Sequence, residues 1–231
     1  MDRRIAVVIP AYNEEKSIAG VIRGVRRLGT GYHVIVINDR SSDDTTRNAE
    51  AEGAVVIELP VNLGIGGAVQ TGFKYAYSHG FDAAVQVDGD GQHPPDQIPL
   101  LVEPLFGEGV DMMVGSRFLG SDYKVSLMRG LGIRLISLFL RATTGMSVRD
   151  ATSGFRAVNR GVMGFFAQTY PQDYPEPESL LLAFLKGFKV AEVPVRMSYR
   201  QYGISSITPF RAVYYMTKVL LAMFIDLFRE V

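Results

Sequence analysis

Two carboxylates, Asp88 and Asp90, stand two residues apart in "VQVDGDGQHPP", directly behind an apolar run. Alternate residues at a strand end can aim both carboxylates at one spot, where like charges repel unless a cation lies between them. All-oxygen donors favour a hard divalent ion, Mg²⁺ or Mn²⁺, and Gln92 offers a third oxygen. The competing account of the same letters is an Asp-Gly turn. An EF-hand loop is excluded, because its sixth position would be His93 instead of Gly and its twelfth Pro99 instead of Glu. His93 reads as structural.

Three other loops carry polar residues of interest. Asp39, in "NDRSSDDT", either caps a following helix or accepts hydrogen bonds from a nucleobase or ribose; Asp43 or Asp44 is the other capping candidate there. "NLGIGGAVQTGF" lacks the G-x-G-x-x-G spacing and follows a third strand, so Gly64, Gly66 and Gly67 read as close packing at a helix start. Arg117, in "GSRF", stands at a strand end from which it could reach a phosphate bidentately.

The elements that must position these loops are legible as short β-branched runs at 5–9, 34–37, 54–58, 83–87 and 110–114. Between the first two, Ile18, Val21, Ile22, Val25 and Leu28 recur at helical spacing. Alternating strand and helix predicts an α/β fold with a mostly parallel central sheet, and in such sheets ligands sit at the carboxyl ends of strands. The chain of 231 residues suits one such domain over 1–209 with a tail at 210–231. Twenty-four basic residues balance twenty-four acidic ones, so there is no field to hold a nucleic acid. With no cysteine, thiolate metal sites and thiol nucleophiles are excluded.

The first apolar run is too short for a signal peptide, and no stretch of about 20 apolar residues exists to span a bilayer. Membrane contact is therefore expected to be peripheral. The segment 210–228 is largely apolar, with Arg211, Lys218 and Arg229 repeating on one helical strip. The segment 129–144 repeats the design, with Arg129 at its start and Gly130, Arg134, Ser137 and Arg141 on a polar strip that could meet an acceptor phosphate. Both are expected at a membrane surface, the first, 210–228, available also to a small integral membrane protein.

Taken in order, "VVIPAYNEE", "INDRSSDDT", "NLGIGGA", "VDGDGQHPP", "GSRF", "DATSGFRAV" and "EVPVRMSYRQYGISSI" resemble a family 2 glycosyltransferase of the polyprenyl-phosphate, dolichol-phosphate mannose synthase-like branch. The resemblance implies the GT-A nucleotide-sugar fold. It implies nucleoside contacts from Pro10, Tyr12, Glu14 and Asp39, and a metal and diphosphate motif in Asp88, Asp90 and Gln92. Arg117 matches a phosphate-binding arginine, Glu178 a glutamate on a helix near the acceptor, and Arg200 the arginine that opens the final loop. That loop departs from the family pattern, with Ser205 and Ser206 where Ser-Lys is usual; Ser206 remains an acceptor-binding candidate.

The implied reaction is an inverting, metal-dependent transfer of a sugar from a nucleotide-diphosphate sugar to a polyprenyl phosphate at the cytoplasmic face of a membrane. A phosphate acceptor is largely dianionic at neutral pH and scarcely needs a general base. A hydroxyl acceptor would need one, and Glu178 and Asp150 are the candidates. A sugar nucleotidyltransferase is disfavoured because "PAYNEE" has no glycine, and an intact acid pair argues against a non-catalytic binding subunit.

Overall fold

The computed structural model describes residues 3–107, 109–119, 127–198 and 209–228, with side chains of 127–129 and 209–215 excepted. In chain order the elements are β1 (Ile5–Ala11), α1 (Ile18–Arg26), β2 (Tyr32–Asn38), α2 (Thr45–Ala51), β3 (Val55–Glu58), α3 (Gly64–Ser78), β4 (Ala83–Gln86), α4 (Ile98–Val102), β5 (Met112–Ser116), α5 (Leu127–Thr144), β6 (Arg156–Asn159), α6 (Arg160–Gln168), α7 (Pro175–Leu185), β7 (Val190–Pro194) and α8 (Pro209–Asp226).

The seven strands form one sheet in the order β3-β2-β1-β4-β6-β5-β7. All neighbours pair in parallel except those of β6, which runs antiparallel to both β4 and β5. The parallel half has the register a doubly wound sheet requires, Val7 opposite Val34 on one side and Val85 on the other. Because side chains alternate across a strand, β1 feeds both faces: Ala6 and Val8 join one core, Ile5, Val7, Ile9 and Ala11 the other. Helices α1 and α4 cover the second face through Ile18, Ile22, Ile98 and Leu101. The first face is covered by α3, α6 and α7 through Val69, Phe73, Phe166 and Leu181, joined by Ile136 and Leu140 of α5 and Val219 and Met223 of α8. The tail helix thus packs on the domain's own core.

Strands β6 and β7 were not anticipated. β6 is four residues long and opens on a charged residue, Arg156; β7 is an edge strand whose residues are only half-buried, so neither carries the unbroken apolar run of a central strand. β6 is nevertheless what brings the "TSGFR" segment beside β4, where the Asp88 loop begins.

Candidate functional site

Three strand-end loops and two helix starts meet at the carboxyl edge of the parallel half. Pro10, Ala11, Tyr12 and Glu14 come from the end of β1, Asp39 from β2, Ile65 and Ala68 from the first turns of α3, Asp88, Gly89 and Asp90 from beyond β4, and Glu176 from the first turn of α7; together they line a cavity of about 300 Å³. Five of these residues are carboxylates, and among the described residues no lysine or arginine lines the wall.

The rim is fixed by bonds between loops. The Asn13 N–H donates to Ser41 Oγ and its Oδ1 accepts from the Ser42 N–H, both at 2.9 Å, while Glu14 N–H donates to Thr45 Oγ1. Asn13 and Arg40 hold positive φ, 56° and 67°, where the two loops turn back on each other. Asp39, 4% exposed, does not cap the helix that follows it. Its Oδ1 accepts from the Leu63 N–H at 2.7 Å and its Oδ2 from the Gly64 N–H at 2.9 Å, so its charge sits on the amino end of α3. Gly64 has φ +76°, a turn that favours glycine. Asp43 takes the local role, accepting from Thr45 N–H through Oδ1. Each Asp39 oxygen retains a second lone pair for a ligand donor.

Asp88 and Asp90 both face the cavity; Gln92 does not line it. The Gln92 N–H donates to Asp90 Oδ1 at 2.9 Å and its carbonyl accepts from Ser198 N–H, so it steadies the second carboxylate from behind. Among the described residues no group of three or more His, Cys, Asp or Glu is arranged to hold a metal. The protein's share is the aspartate pair, which fits a Mg²⁺- or Mn²⁺-type ion that draws its other ligands from substrate phosphates and water. His93, 3% exposed, accepts the Asp88 N–H at Nδ1 at 3.0 Å and stacks on Phe155. Burial pulls its pKa down to about 4, leaving the ring neutral.

Behind the wall lies a second layer. Arg117 and Asp150 form a buried fork: Asp150 Oδ2 accepts from the Arg117 N–H at 3.0 Å and from Nε at 2.7 Å, and Oδ1 from Nη2 at 2.6 Å. The same Nη2 donates to Thr152 Oγ1. Asp150 in turn is seated by Glu192, whose carboxylate accepts the N–H groups of Arg149 and Asp150; burial pushes the Glu192 carboxyl up despite these bonds. Neither Arg117 nor Asp150 lines the cavity. A carboxylate fully buried in a fork with arginine is geometrically placed to hold that arginine, whereas the sequence suggested a base for Asp150 and a direct phosphate contact for Arg117.

Glu176 was missed by the sequence reading. Its neighbour Glu178 is buried and off the cavity wall. Two residues along a helix turn by about 200°, so of the pair in "PEPE" only one can face a given site. Arg156 makes the choice: buried in the sheet, its Nη1 donates to the Glu176 carbonyl and to Ser179 Oγ, its Nη2 to the Ala151 carbonyl and its Nε to the Ser153 carbonyl. Burial pushes the Glu176 carboxyl upward, the charge of Asp88 adds to this, and Arg156 and Arg117 pull it back.

The acceptor-side candidates are more scattered. Ser137 Oγ donates to the Arg149 carbonyl and Arg134 is exposed. Arg129 has its backbone in α5 but its side chain outside the described residues, and Arg200 and Ser206 lie outside them altogether.

The mostly parallel seven-stranded sheet with an aspartate pair at its carboxyl edge has the architecture of a GT-A glycosyltransferase. The family model for glycosyl transferase family 2 matches residues 6–164, and the chain belongs to that family. It is 30% identical over 225 residues to the UDP-N-acetylglucosamine–dolichyl-phosphate N-acetylglucosaminyltransferase of Methanococcus voltae, covering 88% of this chain and 89% of that one. It is 27% identical over 217 residues to the polyprenol monophosphomannose synthase of Mycolicibacterium smegmatis, covering 89% and 82%. Among solved structures, glucosyl-3-phosphoglycerate synthase from Mycobacterium tuberculosis, in complex with Mn²⁺, UDP and phosphoglyceric acid, superposes with a TM-score of 0.75 at 25% identity, covering 97% of this chain and 78% of that one.

Proposed function

We propose that the protein transfers a sugar from a nucleotide-diphosphate sugar to a polyprenyl phosphate, with inversion and with a divalent cation held by Asp88 and Asp90. The observation that carries the donor half is the sign of the cavity: five carboxylates and, among the described residues, no basic side chain line it. A diphosphate has no business in such a cavity unless a cation neutralises it, and the aspartate pair is the place for one. Mn²⁺ beside UDP in the mycobacterial synthase supports this, as do the polyprenyl-type acceptors in the names of the two relatives.

A bound divalent ion would supply charge neutralisation for the departing diphosphate. The rest is the work of the chain. Tyr12, Glu14 and Asp39 bind and orient the nucleoside, and Arg117, paired with Asp150, braces the wall from behind. An acceptor phosphate oxygen attacks the anomeric carbon from the face opposite the leaving group; the C–O bond to the diphosphate breaks, its electron pair stays on the diphosphate oxygen, and a sugar–phosphate bond forms. No proton needs to move when the attacking phosphate is dianionic. Glu176, on the wall, is the carboxylate placed to act if the acceptor were instead a hydroxyl.

The lipid half is supported by the paired helices α5 and α8. They approach so closely at Gly132 that a side chain there would meet Met216. Outward they expose Leu131, Leu135 and Leu138 on α5, and Leu221, Phe224 and Ile225 on α8, with Phe228 just beyond, 77% exposed. Arg134, Arg141 and Lys218 stand exposed among them, so the cations lie on the apolar outer face instead of on a separate strip. No helix among the described residues is long and apolar enough to cross a membrane. Such a face suits the boundary of an anionic bilayer on its cytoplasmic side, and the same α8 surface is where a small integral membrane protein would sit.

The test is a panel of UDP- and GDP-sugars offered with polyprenyl phosphate and Mg²⁺ or Mn²⁺. Lipid-linked sugar of inverted anomeric configuration, lost in chelator, is the expected product; undiminished transfer in chelator would remove the cation from the account.

A further inference from the structure

The loop that carries the aspartate pair is short, and what fixes its first member lies outside it. The Asp88 N–H donates to His93 Nδ1 at 3.0 Å, and His93 Nε2 stands 3.5 Å from Asp88 Oδ2. With Nδ1 accepting, the ring proton belongs on Nε2, toward the carboxylate. The imidazole has little freedom: it lies flat on Phe155, centroids 4.8 Å apart and planes within 10°. Phe155 is itself fully buried in β-sheet surroundings, and its carbonyl accepts the Gly115 N–H from β5. On the remaining side is Gly154. A Cβ there would lie 3.1 Å from Gln86 Nε2 and 3.6 Å from both Asp88 Oδ1 and His93 Cε1, so a side chain would press on the space that the pair occupies. The "SGF" of the segment entering β6 therefore forms a flat backstop for the imidazole, and the imidazole holds Asp88.

We propose that His93 is a positioning residue for the metal-binding carboxylate: it fixes the main chain and side chain of Asp88, and the stack on Phe155 transmits the rigidity of β6 and β5 to the cation site. The inference rests on the reading of Asp88 and Asp90 as the cation pair. It also gives the "SGF" segment a physical task that its sequence position, more than sixty residues from Asp88, conceals.

Two substitutions separate the bond from the bulk. His93→Phe keeps a flat ring for Phe155 and deletes the acceptor; His93→Asn shortens the side chain but leaves an amide oxygen where Nδ1 was. Mn²⁺ binding is read by electron paramagnetic resonance in the presence of UDP and, separately, GDP, and melting temperature is read alongside. His93→Phe should weaken Mn²⁺ binding by about ten- to a hundredfold, the scale on which the partners of metal ligands act, with the fold retained; His93→Asn should recover most of it. If His93→Phe does not fold, Phe155→Leu, which removes the stack and leaves the bond's partners in place, is expected to weaken Mn²⁺ binding in the same direction. Wild-type protein that takes up no Mn²⁺ with either nucleotide would overturn the cation pair and the inference with it. Wild-type binding matched by His93→Phe, or by Phe155→Leu in its stead, would overturn the positioning role alone, as would a His93→Asn variant no better than His93→Phe.

Discussion

The residues of this site that stand at strand ends and those carried on turns and helices around it are aimed differently. Among the strand-end residues, Asp39 and the Asp88–Asp90 pair are brought to the cavity edge by the strands before them, and bonds between loops, with His93 behind Asp88, hold them there. The other charged residues around the site lie on turns and helices, and their direction is set by buried arginines. Asp150 is turned into the core by Arg117, and Glu176 is presented by Arg156 holding its carbonyl. A strand end is a local instruction, whereas a helix face waits on tertiary packing.

The comparison predicts that mutations in the two groups fail in different ways. The largest effect should be Asp90→Ala, a loss of turnover on the order of 10³-fold with an unchanged melting temperature; steady-state rates and calorimetry check it. Asp150→Ala should fail in the opposite manner. It leaves a buried guanidinium without its partner and should cost about 3–5 kcal/mol of stability, read by denaturant unfolding. A stable Asp150→Ala enzyme with no activity would return Asp150 to the role of a base and break the contrast.

Two smaller effects sharpen it. Glu176→Gln should reduce turnover with a polyprenyl phosphate acceptor by less than about 10²-fold, below the range of an essential general base, and Glu178→Gln, off the wall, by less still. Larger losses would favour a hydroxyl acceptor. Leu138→Asp together with Phe224→Asp should weaken flotation with anionic vesicles by about tenfold or more, because each removes a side chain whose burial is worth about 1.5–3 kcal/mol, while nucleotide binding is untouched. Equal flotation would move the lipid contact elsewhere.

The same contrast accounts for what the sequence disclosed. Strands β1 to β5 are legible as short apolar runs, buried throughout in β1, β4 and β5; Asp39, Asp88 and Asp90 follow from where those runs stop, whereas Pro10, Tyr12 and Glu14 rest on the family resemblance. β6 and β7 are short and partly polar, so periodicity does not mark them. Glu178 rests on the family resemblance, and nothing in "PEPE" says which way the first turn of α7 faces; that depends on Arg156, about 20 residues earlier. His93 was legible as structural, but the bond to Asp88 requires knowing that the ring turns back onto its own loop.

The most direct test of the central claim is a choice between acceptors. Wild-type protein in Mn²⁺ is given labelled nucleotide sugar with equal amounts of a polyprenyl phosphate and the corresponding unphosphorylated polyprenol, and the label is followed into each lipid. Label confined to the phosphate-bearing lipid is the result predicted by a dianionic nucleophile entering a cation-neutralised site. Label on the polyprenol, or transfer indifferent to the phosphate, would contradict it.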